Sequence, residues 1–588
     1  MVSRERFARI FYFIFEKGAK YKIVAHLLFG ILVGTFITHL YNSHILQRLE
    51  LITLDSRFRL RPSISASTRI IHIDMSEDSI QAIGRWPWPR NWHAAITSMF
   101  SEYKPRMIIY DVIFSEEGAP ENDAVFSESI RQAGDVYLGL TYNTGESSSK
   151  DFYRGGGIKS VLEPLKIFKD VVKGVGHLNV MPDPDGTIRR IPPIIEYENK
   201  RTFHISVKSS LDLLGIKEKD INFNPDRNLV TLKMAQDEII KVPLDRNNQL
   251  IINWVARWGK AFRHFSYIDV IKSYKAIQEN RIPIIDLNIF RDKILLIGLT
   301  ASGLIDIKPT PIQNAYPAVG ANAAVINSFL NRDFIKIPTK KEEILLIYLI
   351  SIFVSLLLFR VRPINGMILT ALIVIVYLTL SVLTFNVYNT WITIIYPVAA
   401  ILLSYGFIAL YTQIAAAIER NRLFSEATRD GLTNLYNIRH FNLLLEAEFK
   451  NLKLIKSKKT SIIMSDIDNF KKINDTYGHQ VGDVILRDTA KIFQSNCRQI
   501  DIVARYGGEE FIILLPGAGK EEAVDVAERI RQGVENKKFK FKDKHYTATI
   551  SFGVNEYTNE ENKEDIIRKA DGALYRAKTT GKNKVVAV

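Results

Sequence analysis

Four long apolar runs are the feature that most limits what this chain can fold into. They span residues 23–41, 344–359, 364–385 and 391–411. A helix of roughly 20 apolar residues is long enough to cross a bilayer. Buried core helices are the alternative, but the length of the runs and the clustering of the last three argue against it. We therefore expect a membrane protein with separate folded domains before and after the last three runs.

Charged residues beside the runs predict their orientation. The first 22 residues contain six Lys or Arg and two Glu, and Arg360 and Arg362 lie in the connection after the second run. Residues 386–389, after the third run, carry no charge. By the positive-inside rule, residues 1–22 and the basic connection lie in the cytoplasm. Four spans then place residues 42–340 outside the membrane and the C-terminal segment inside.

A cleaved signal peptide is the competing interpretation of residues 23–41, since it also has an apolar stretch after basic residues. Residues 42–46 read Asn-Ser-His-Ile-Leu and do not form a small-x-small cleavage site. We favour an uncleaved membrane helix.

Length, charge and cysteine content limit the remaining possibilities. A chain of 588 residues is too long for one hydrophobic core, so several domains are expected. The net charge of +15 is a weak indication of a nucleic-acid partner, and we expect none because part of this charge flanks the membrane runs. Cys497 is the only cysteine, which excludes an intrachain disulfide and a Cys-based metal site.

The segment from about residue 46 to residue 338 has a globular composition. Strand-like runs at residues 69–74, 106–111 and 293–298 alternate with helical stretches. This alternation predicts an α/β domain with a mainly parallel sheet.

Short motifs in this segment resemble the second CHASE family of extracytoplasmic sensors. The motifs lie at residues 55–59, 84–90, 176–179, 183–190 and 296–301. The resemblance implies an extracytoplasmic ligand, whose identity the sequence does not give. One position departs from the family pattern, because Asn322 stands where the family often has a histidine. No ligand role is therefore carried over to it.

Two of these motifs have alternative interpretations. Residues 183–186 read Asp-Pro-Asp-Gly, which favours a turn, while Ca²⁺ ligation by the two acids is the alternative. Trp86 and Trp88 could stack on a ligand, but tryptophans interleaved with prolines more often pack a loop onto its own domain. We assign no catalytic side chain in this segment.

Residues 412–429, after the last apolar run, predict a linker helix. Ile414, Ile418, Leu423 and Ala427 can share one face of it. Such a helix can pair with its copy in a second subunit, so we expect a homodimer, with a plain linker helix as the alternative.

Near the C-terminus, residues 501–515 consist of two β-rich apolar runs around Gly507 and Gly508. This pattern predicts a β-hairpin with Glu509 and Glu510 at its turn. A solvated turn is the usual explanation of such a sequence.

A second acidic stretch changes that interpretation. The buried strand predicted upstream of the hairpin ends in Asp466 and Asp468. If it pairs beside the hairpin, Asp466 converges with Glu509 or Glu510. Convergent carboxylates favour a hard divalent cation such as Mg²⁺.

Three linked motifs resemble the GGDEF family of diguanylate cyclases. They are GGEEF at the hairpin, D-x-D-x-F-K-x-x-N-D-x-x-G-H-x-x-G-D from Asp466 and D-x-L-T-x-L-x-N from Asp430. The resemblance implies a palm-like α+β domain over residues 430–588, with an antiparallel-type sheet and helices on one face. The implied reaction joins two GTP molecules into cyclic di-GMP with loss of two pyrophosphates. It also implies a bacterial cytoplasmic (inner) membrane.

The resemblance also implies roles for individual residues. Asp466, the carbonyl of Ile467 and Glu509 would hold Mg²⁺, with Mn²⁺ as the alternative ion. Glu509 would help to deprotonate the attacking 3′-hydroxyl, and Glu510 is a second candidate at the catalytic centre. Asn434, like Asn437, is expected to be a structural turn or cap residue.

Substrate contacts are implied at three places. The hairpin glycines, Gly507 and Gly508, would let phosphate approach the backbone. Lys578 and Lys582, expected on one face of the final helix, would contact the β- and γ-phosphates, with a solvated basic helix end as the alternative. The predicted guanine contacts are Asn474, His479 and Asp483.

Arg498 and Asp501 resemble the family's inhibitory product site, and Arg505 is an additional candidate contact. A surface ion pair is the alternative. The leading function is a membrane-bound diguanylate cyclase under the control of an extracytoplasmic sensor. A catalytically silent receptor that binds cyclic di-GMP through Arg498 and Asp501 is the alternative function.

Overall fold

The computed structural model describes residues 19–144, 152–234, 237–301, 307–454, 459–558 and 562–588. The expectation for residues 1–18 lies outside this range. The chain divides into two compact units, Met1–Leu410 and Tyr411–Val588.

The α-helices are numbered in chain order. They are α1 (Ala19–Asn42), α2 (Gln47–Leu60), α3 (Glu77–Ile83), α4 (Arg90–Tyr103), α5 (Pro120–Ala133), α6 (Lys166–Lys169), α7 (Ile205–Leu213), α8 (Tyr267–Gln278), α9 (Val319–Asn331), α10 (Lys340–Leu357), α11 (Pro363–Tyr388), α12 (Ile395–Thr428), α13 (Ile438–Leu454), α14 (Phe470–Tyr477), α15 (His479–Asn496), α16 (Lys520–Glu535) and α17 (Lys563–Thr579).

The strands are numbered in the same way. They are β1 (Ile70–Met75), β2 (Met107–Asp111), β3 (Val136–Thr144), β4 (Ile158–Leu162), β5 (Gly174–His177), β6 (Arg190–Ile191), β7 (Ile194–Tyr197), β8 (Lys200–Phe203), β9 (Ile221–Asn224), β10 (Leu229–Lys233), β11 (Ile239–Pro243), β12 (Leu250–Ile251), β13 (Arg263–Ser266), β14 (Ile294–Leu299), β15 (Ile307–Lys308), β16 (Tyr316–Pro317), β17 (Tyr436–Asn437), β18 (Thr460–Ile467), β19 (Ile502–Arg505), β20 (Glu510–Pro516), β21 (Phe539–Phe541), β22 (Lys544–Tyr546), β23 (Ile550–Glu556) and β24 (Val585–Ala587).

Four helices in the described part of the chain, α1, α10, α11 and α12, are long and apolar enough to cross a membrane. A capping box between Thr339 and Glu342 begins α10. The predicted fourth run and the predicted linker helix form one helix, α12, which begins only at Ile395. Residues 412–428 continue this helix because they contain no Gly or Pro that would end it.

A seven-stranded sheet forms the centre of the segment before α10. Its order is β13-β1-β14-β2-β3, and β4 and β5 both pair with β3. All neighbours are parallel except β3 and β4. The three strands predicted from the sequence are β1, β2 and β14, so the predicted mainly parallel α/β sheet is confirmed.

Helices cover both faces of this sheet. Buried side chains of α4, α5 and α8 pack on one face, and those of α7 and α9 pack on the other. Two-sided burial explains why the central strands are almost continuously apolar in sequence.

The Asp-Pro-Asp-Gly motif forms the predicted turn, with Gly186 at a φ of +81°. Its acids bind a cation from the chain itself: Arg189 donates to Asp183 at 2.8 Å and to Asp185 at 2.7 Å. Arg189 also donates two hydrogen bonds of 2.7 Å to Asp55 of α2. Arg189 therefore connects the turn to α2, the helix that follows α1.

The tryptophan motif packs onto its own domain, as the favoured interpretation predicted. Trp88 is buried, and its indole N–H donates to the carbonyl of Gly84 at 2.8 Å. Its ring lies 5.1 Å from that of Tyr267 and 5.5 Å from that of Trp86.

The C-terminal unit contains a six-stranded sheet of order β17-β19-β20-β18-β23-β24. The central strand, β18, is antiparallel to both β20 and β23. The expectation of helices on one face is wrong. Side chains of α15 and α16 pack on one face of the sheet, and those of α13 and α17 pack on the other. The reason is that both faces of β18 are apolar, with Ile463 on one and Ile462 on the other.

Candidate active site

Carboxylates converge at the end of the central strand of the C-terminal sheet. In the register of β18 and β20, Asp466 lies opposite Glu510. Glu509 precedes β20, and its carbonyl accepts a hydrogen bond from the backbone N–H of Ile467 at 3.3 Å. From α17, Lys578 forms an ion pair with Asp466. The structure thus brings together the acids and one lysine that the sequence predicted.

The electrostatics of this edge favour an added cation. Burial raises the pKa of Asp466, although the hydrogen bond from Lys578 acts in the opposite direction and lowers it. Burial also raises the pKa of Glu510, and the charge of Asp466 raises it further. A divalent ion would relieve the electrostatic repulsion between these partly buried carboxylates. Their oxygen atoms are the ligands that Mg²⁺ prefers, so this donor set fits Mg²⁺.

Asp468, the second acid of the strand motif, has a structural role, because its carboxylate is hydrogen-bonded within the domain. Its carboxylate accepts hydrogen bonds from Thr549 Oγ1 at 2.8 Å, Ser551 Oγ at 2.7 Å and the backbone N–H of Asn583 at 3.0 Å. It ties β18 to β23 and to the turn after α17.

The glycine turn leaves open space beside the acids. The backbone N–H of Tyr506 donates to the carbonyl of Glu510 at 2.8 Å and closes the hairpin. A Cβ added to Gly508 would meet no atom within 4 Å, whereas one at Gly507 would lie 2.8 Å from Glu510 Oε2. A side chain at Gly507 would therefore disturb the acid.

Arg505 lies against the same turn. It donates to the carbonyl oxygens of Gly507 at 3.1 Å and Gly508 at 2.6 Å. Its third nitrogen donates to Asp430 at 3.2 Å. The guanidinium is thus engaged within the domain, and contact with a product stays a prediction. The bond to Asp430 could not be predicted from the sequence, since no local pattern relates residues 75 positions apart.

The opening motif has the predicted structural roles. Asn434 adopts a φ of +59° in the turn. The Asn437 side chain accepts from the backbone N–H of His440 at 2.9 Å, which caps the start of α13.

The two predicted phosphate contacts do not share a helix. α17 ends at Thr579, and Lys582 lies beyond it at a φ of +61°. The placement of Lys582 on the final helix is therefore wrong. The cause is Gly581, whose φ of +121° reverses the chain so that the Lys582 N–H bonds back to Ala577 at 3.0 Å. The Lys582 ammonium donates to Asn469 Oδ1 at 2.6 Å, just beyond the end of β18.

The predicted guanine contacts lie where α14 meets α15. Asn474 is in α14, His479 is the exposed first residue of α15, and Asp483 is one turn further. Asn474 Oδ1 is buried and without a hydrogen-bond partner among the described residues. A Cβ at Gly482 would lie 2.0 Å from this oxygen, so a side chain there would displace the Asn474 amide.

Arg498 and Asp501 lie before β19, at the end opposite the glycine turn. The Asp501 carboxylate accepts from the backbone N–H of Arg498 at 2.6 Å, and the Arg498 side chain is exposed. Burial raises the pKa of Asp501. The proposed product site stays a prediction.

Two family models match this chain. The CHASE2 domain model matches residues 28–356, more than half of the chain, and the model described as "Diguanylate cyclase, GGDEF domain" matches residues 427–584. The chain belongs to the CHASE2 family and carries a GGDEF domain.

Curated relatives resemble the GGDEF domain. Diguanylate cyclase A of Treponema denticola is 44% identical over 175 residues, which are 29% of this chain and 47% of the relative. The response regulator PleD of Caulobacter vibrioides is 40% identical over 163 residues, 27% of this chain and 36% of the relative. The match thus covers less than half the length of each.

Solved structures resemble the same domain. The active GGEEF domain of a diguanylate cyclase from Vibrio cholerae is 38% identical, covering 26% of this chain and 96% of that one, with a TM-score of 0.25. The coiled coil and GGDEF domain of DgcB from Caulobacter crescentus, in complex with c-di-GMP, is 30% identical, covering 31% of this chain and 99% of that one, with a TM-score of 0.28.

Proposed function

We propose that the GGDEF domain is an active diguanylate cyclase that condenses two GTP molecules into cyclic di-GMP and two pyrophosphates. The CHASE2 domain, outside the membrane, controls it in response to an extracytoplasmic ligand. The observation that carries this proposal is the convergence of three acids with Lys578 at the end of β18, beside the open space at Gly508.

The acids have the chemistry of a magnesium site. Asp466, the Ile467 carbonyl and Glu509 would hold Mg²⁺ or Mn²⁺, with Glu510 as a further candidate. A bound ion would supply charge neutralisation at the triphosphate, the main requirement of phosphoryl transfer. The mutual repulsion of Asp466 and Glu510 supports this assignment, because it is relieved by an added cation.

Other side chains would position the substrate. Lys578 and Lys582 would contact the β- and γ-phosphates, and Glu509 would accept the proton of the attacking 3′-hydroxyl. Asn474 and Asp483 would read guanine, because its ring N–H and amino group are donors that a carboxylate accepts. Adenine lacks this pair of donors, so ATP would leave Asp483 unpaired. The unpartnered Asn474 Oδ1 supports a ligand at this corner.

The reaction needs two GTP molecules in opposite orientations, one from each of two GGDEF domains. A homodimer formed through residues 412–428 of α12 would supply the second domain. The product would bind at Arg498 and Asp501 and hold two domains apart.

The test is turnover by the full-length chain in lipid nanodiscs, with GTP and Mg²⁺ and with products identified by mass spectrometry. We expect cyclic di-GMP and pyrophosphate in a ratio of 1:2, and no cyclic product from ATP. Tight binding of cyclic di-GMP without turnover would contradict the proposal and favour the silent receptor.

A further inference from the structure

Two histidines and an aspartate form a cluster on the CHASE2 sheet, which the cyclase proposal does not use. Asp74 lies two positions after His72 on β1, so both side chains project from the same face. His264 on β13 is the direct parallel partner of His72. The candidate ligand atoms of the three residues all lie within 4.8 Å of one another.

Several polar atoms of this cluster lack a hydrogen-bond partner within the described chain. They are both ring nitrogens of His72, which is fully buried, and Oδ1 of Asp74. The second oxygen of Asp74 contacts His264 Nδ1 at 2.9 Å. Buried polar atoms are almost always bonded, so unpartnered imidazole nitrogens beside an unpartnered carboxylate oxygen indicate a place for a ligand that both can bind.

The rings of His72 and His264 are stacked, with centroids 4.6 Å apart and planes at 5°. Imidazole binds a metal ion through a nitrogen lone pair that lies in the ring plane, so two stacked rings direct their lone pairs side by side. Binding of one ion by both histidines therefore requires one ring to rotate about its Cβ–Cγ bond, and His264, which is partly exposed, is the ring that would turn.

The surroundings of the cluster fit a bound ion. Trp258 packs against both histidines, with ring centroids at 4.9 Å from His72 and 4.5 Å from His264. The side chains of His264 and Asp74 are still 18% and 15% exposed, so the cluster is reachable from solvent. Asp74 is the last residue but one of β1, near the carboxyl end of a parallel strand, where α/β sheets usually bind ligands.

We propose that His72, Asp74 and His264 form a binding site for a divalent transition-metal ion of the Zn²⁺ class. Two imidazoles and one carboxylate suit Zn²⁺ and not Mg²⁺ or Ca²⁺, which take oxygen ligands. Three protein ligands leave a coordination position for water or a small anion. The ion would join β1 to the edge strand β13 and would be an input of the CHASE2 domain, independent of the cyclase chemistry.

Another buried histidine pair offers a matched control. His177 and His204 are both fully buried, with ring centroids 5.0 Å apart. His204 Nδ1 is bonded to Ser206 Oγ at 2.7 Å, while the other three ring nitrogens of the pair have no partner among the described residues. The pair differs from the His72 cluster because no carboxylate completes a group of three ligands. Among the residues the structure describes, the group of His72 is the one set of three His, Cys, Asp or Glu side chains whose ligand atoms all lie within 4.8 Å of one another.

The test uses the full-length chain, purified in detergent through a tag without histidine and stripped with a chelator. Zn²⁺ is titrated against a chromophoric competitor, and Co²⁺ binding is followed by its visible absorption. We expect Asp74→Asn and His264→Gln to weaken one Zn²⁺ site by about tenfold or more and to remove the corresponding Co²⁺ band. His204→Gln should leave both readouts unchanged.

Zn²⁺ bound at the GGDEF carboxylates contributes equally to all variants, so a difference between variants reports binding at the His72 cluster. Tryptophan fluorescence on heating checks folding, since all six tryptophans precede residue 392. His264 lies on an edge strand and is partly exposed, so a folded variant is expected even if the one at Asp74 unfolds. The proposal would be overturned if folded His264→Gln bound Zn²⁺ with the same affinity as the wild type and showed the same Co²⁺ absorption.

Discussion

Arg498 and Asp501 lie at the end of β19 away from the glycine turn, so a change at Arg498 should spare the catalytic acids. An exposed guanidinium can fork onto a phosphate of the product, while Asp501 accepts from a base. We predict that Arg498→Ala weakens cyclic di-GMP binding by roughly 1–3 kcal/mol, the range for a charge-assisted hydrogen bond, without lowering the initial rate of product formation.

Isothermal titration of cyclic di-GMP into the variant and the wild type measures this effect. Arg487→Ala is the matched control, since Arg487 is an exposed arginine of α15 outside the proposed product site. If Arg498→Ala and the wild type bind cyclic di-GMP with equal affinity, Arg498 does not contact the product and is only a solvated surface residue.

The acids of the site could be predicted because their positions follow from local patterns. A strand ending at Asp466 and a hairpin turning at Gly507 and Gly508 place acids at one edge as soon as the strands pair. Asp468 has the same local pattern as Asp466, but its partners lie 81 to 115 positions along the chain. Its structural role therefore could not be deduced from neighbours in sequence.

At the scale of elements, Arg189 connects α2 to the Asp-Pro-Asp-Gly turn through three aspartates, with only 1% of its side chain exposed. Removing one partner of a buried ionic network leaves uncompensated charge. We predict that Arg189→Met lowers the free energy of unfolding of the CHASE2 domain by about 3–5 kcal/mol. Arg201→Met, which breaks the exposed pair with Glu196, should cost at most about 1 kcal/mol.

Thermal unfolding followed by tryptophan fluorescence distinguishes the two variants. A melting temperature of Arg189→Met equal to that of Arg201→Met would show that the network contributes little to stability.

The same network predicts a pH dependence. The hydrogen bond from Arg189 lowers the pKa of Asp185 to about 2. The unfolded value is about 3.9, so the stabilisation is complete above that pH and is lost as the pH falls through about 2. We expect the melting temperature to fall over this window, and to fall less in Arg189→Met. An equal fall in both proteins would exclude Asp185 as its source.

Element types were predictable where the apolar pattern was strong, and their packing was less so. The runs at β1, β2 and β14 have the length and composition of buried parallel strands. Helices on both faces of the GGDEF sheet were missed, although consecutive apolar residues such as Ile462 and Ile463 were a signal of two-sided burial. Lys582 was wrongly predicted to lie on the final helix. The helix ends before it because Gly581 adopts a positive φ that reverses the chain direction, and this backbone conformation does not follow from the sequence pattern.

At the scale of the whole molecule, the four-span arrangement predicts that the two domains lie on opposite sides of the membrane. In a Cys497→Ser background, Asn199→Cys labels the exposed β7–β8 turn and Lys538→Cys labels an exposed site after α16. A membrane-impermeant maleimide added to intact spheroplasts should modify the first thiol and not the second. Equal modification of both thiols would contradict four spans.

Cyclic di-GMP formation by Glu509→Gln tests the central claim most directly. The substitution removes one carboxylate from an incompletely buried turn and opens no cavity, so the fold should persist. Glu522→Gln, at an exposed position of α16, is the control. With GTP and Mg²⁺, the wild type and Glu522→Gln should form cyclic di-GMP at similar rates, and Glu509→Gln should form none. Appreciable turnover by folded Glu509→Gln would contradict the assignment of this edge as the catalytic centre.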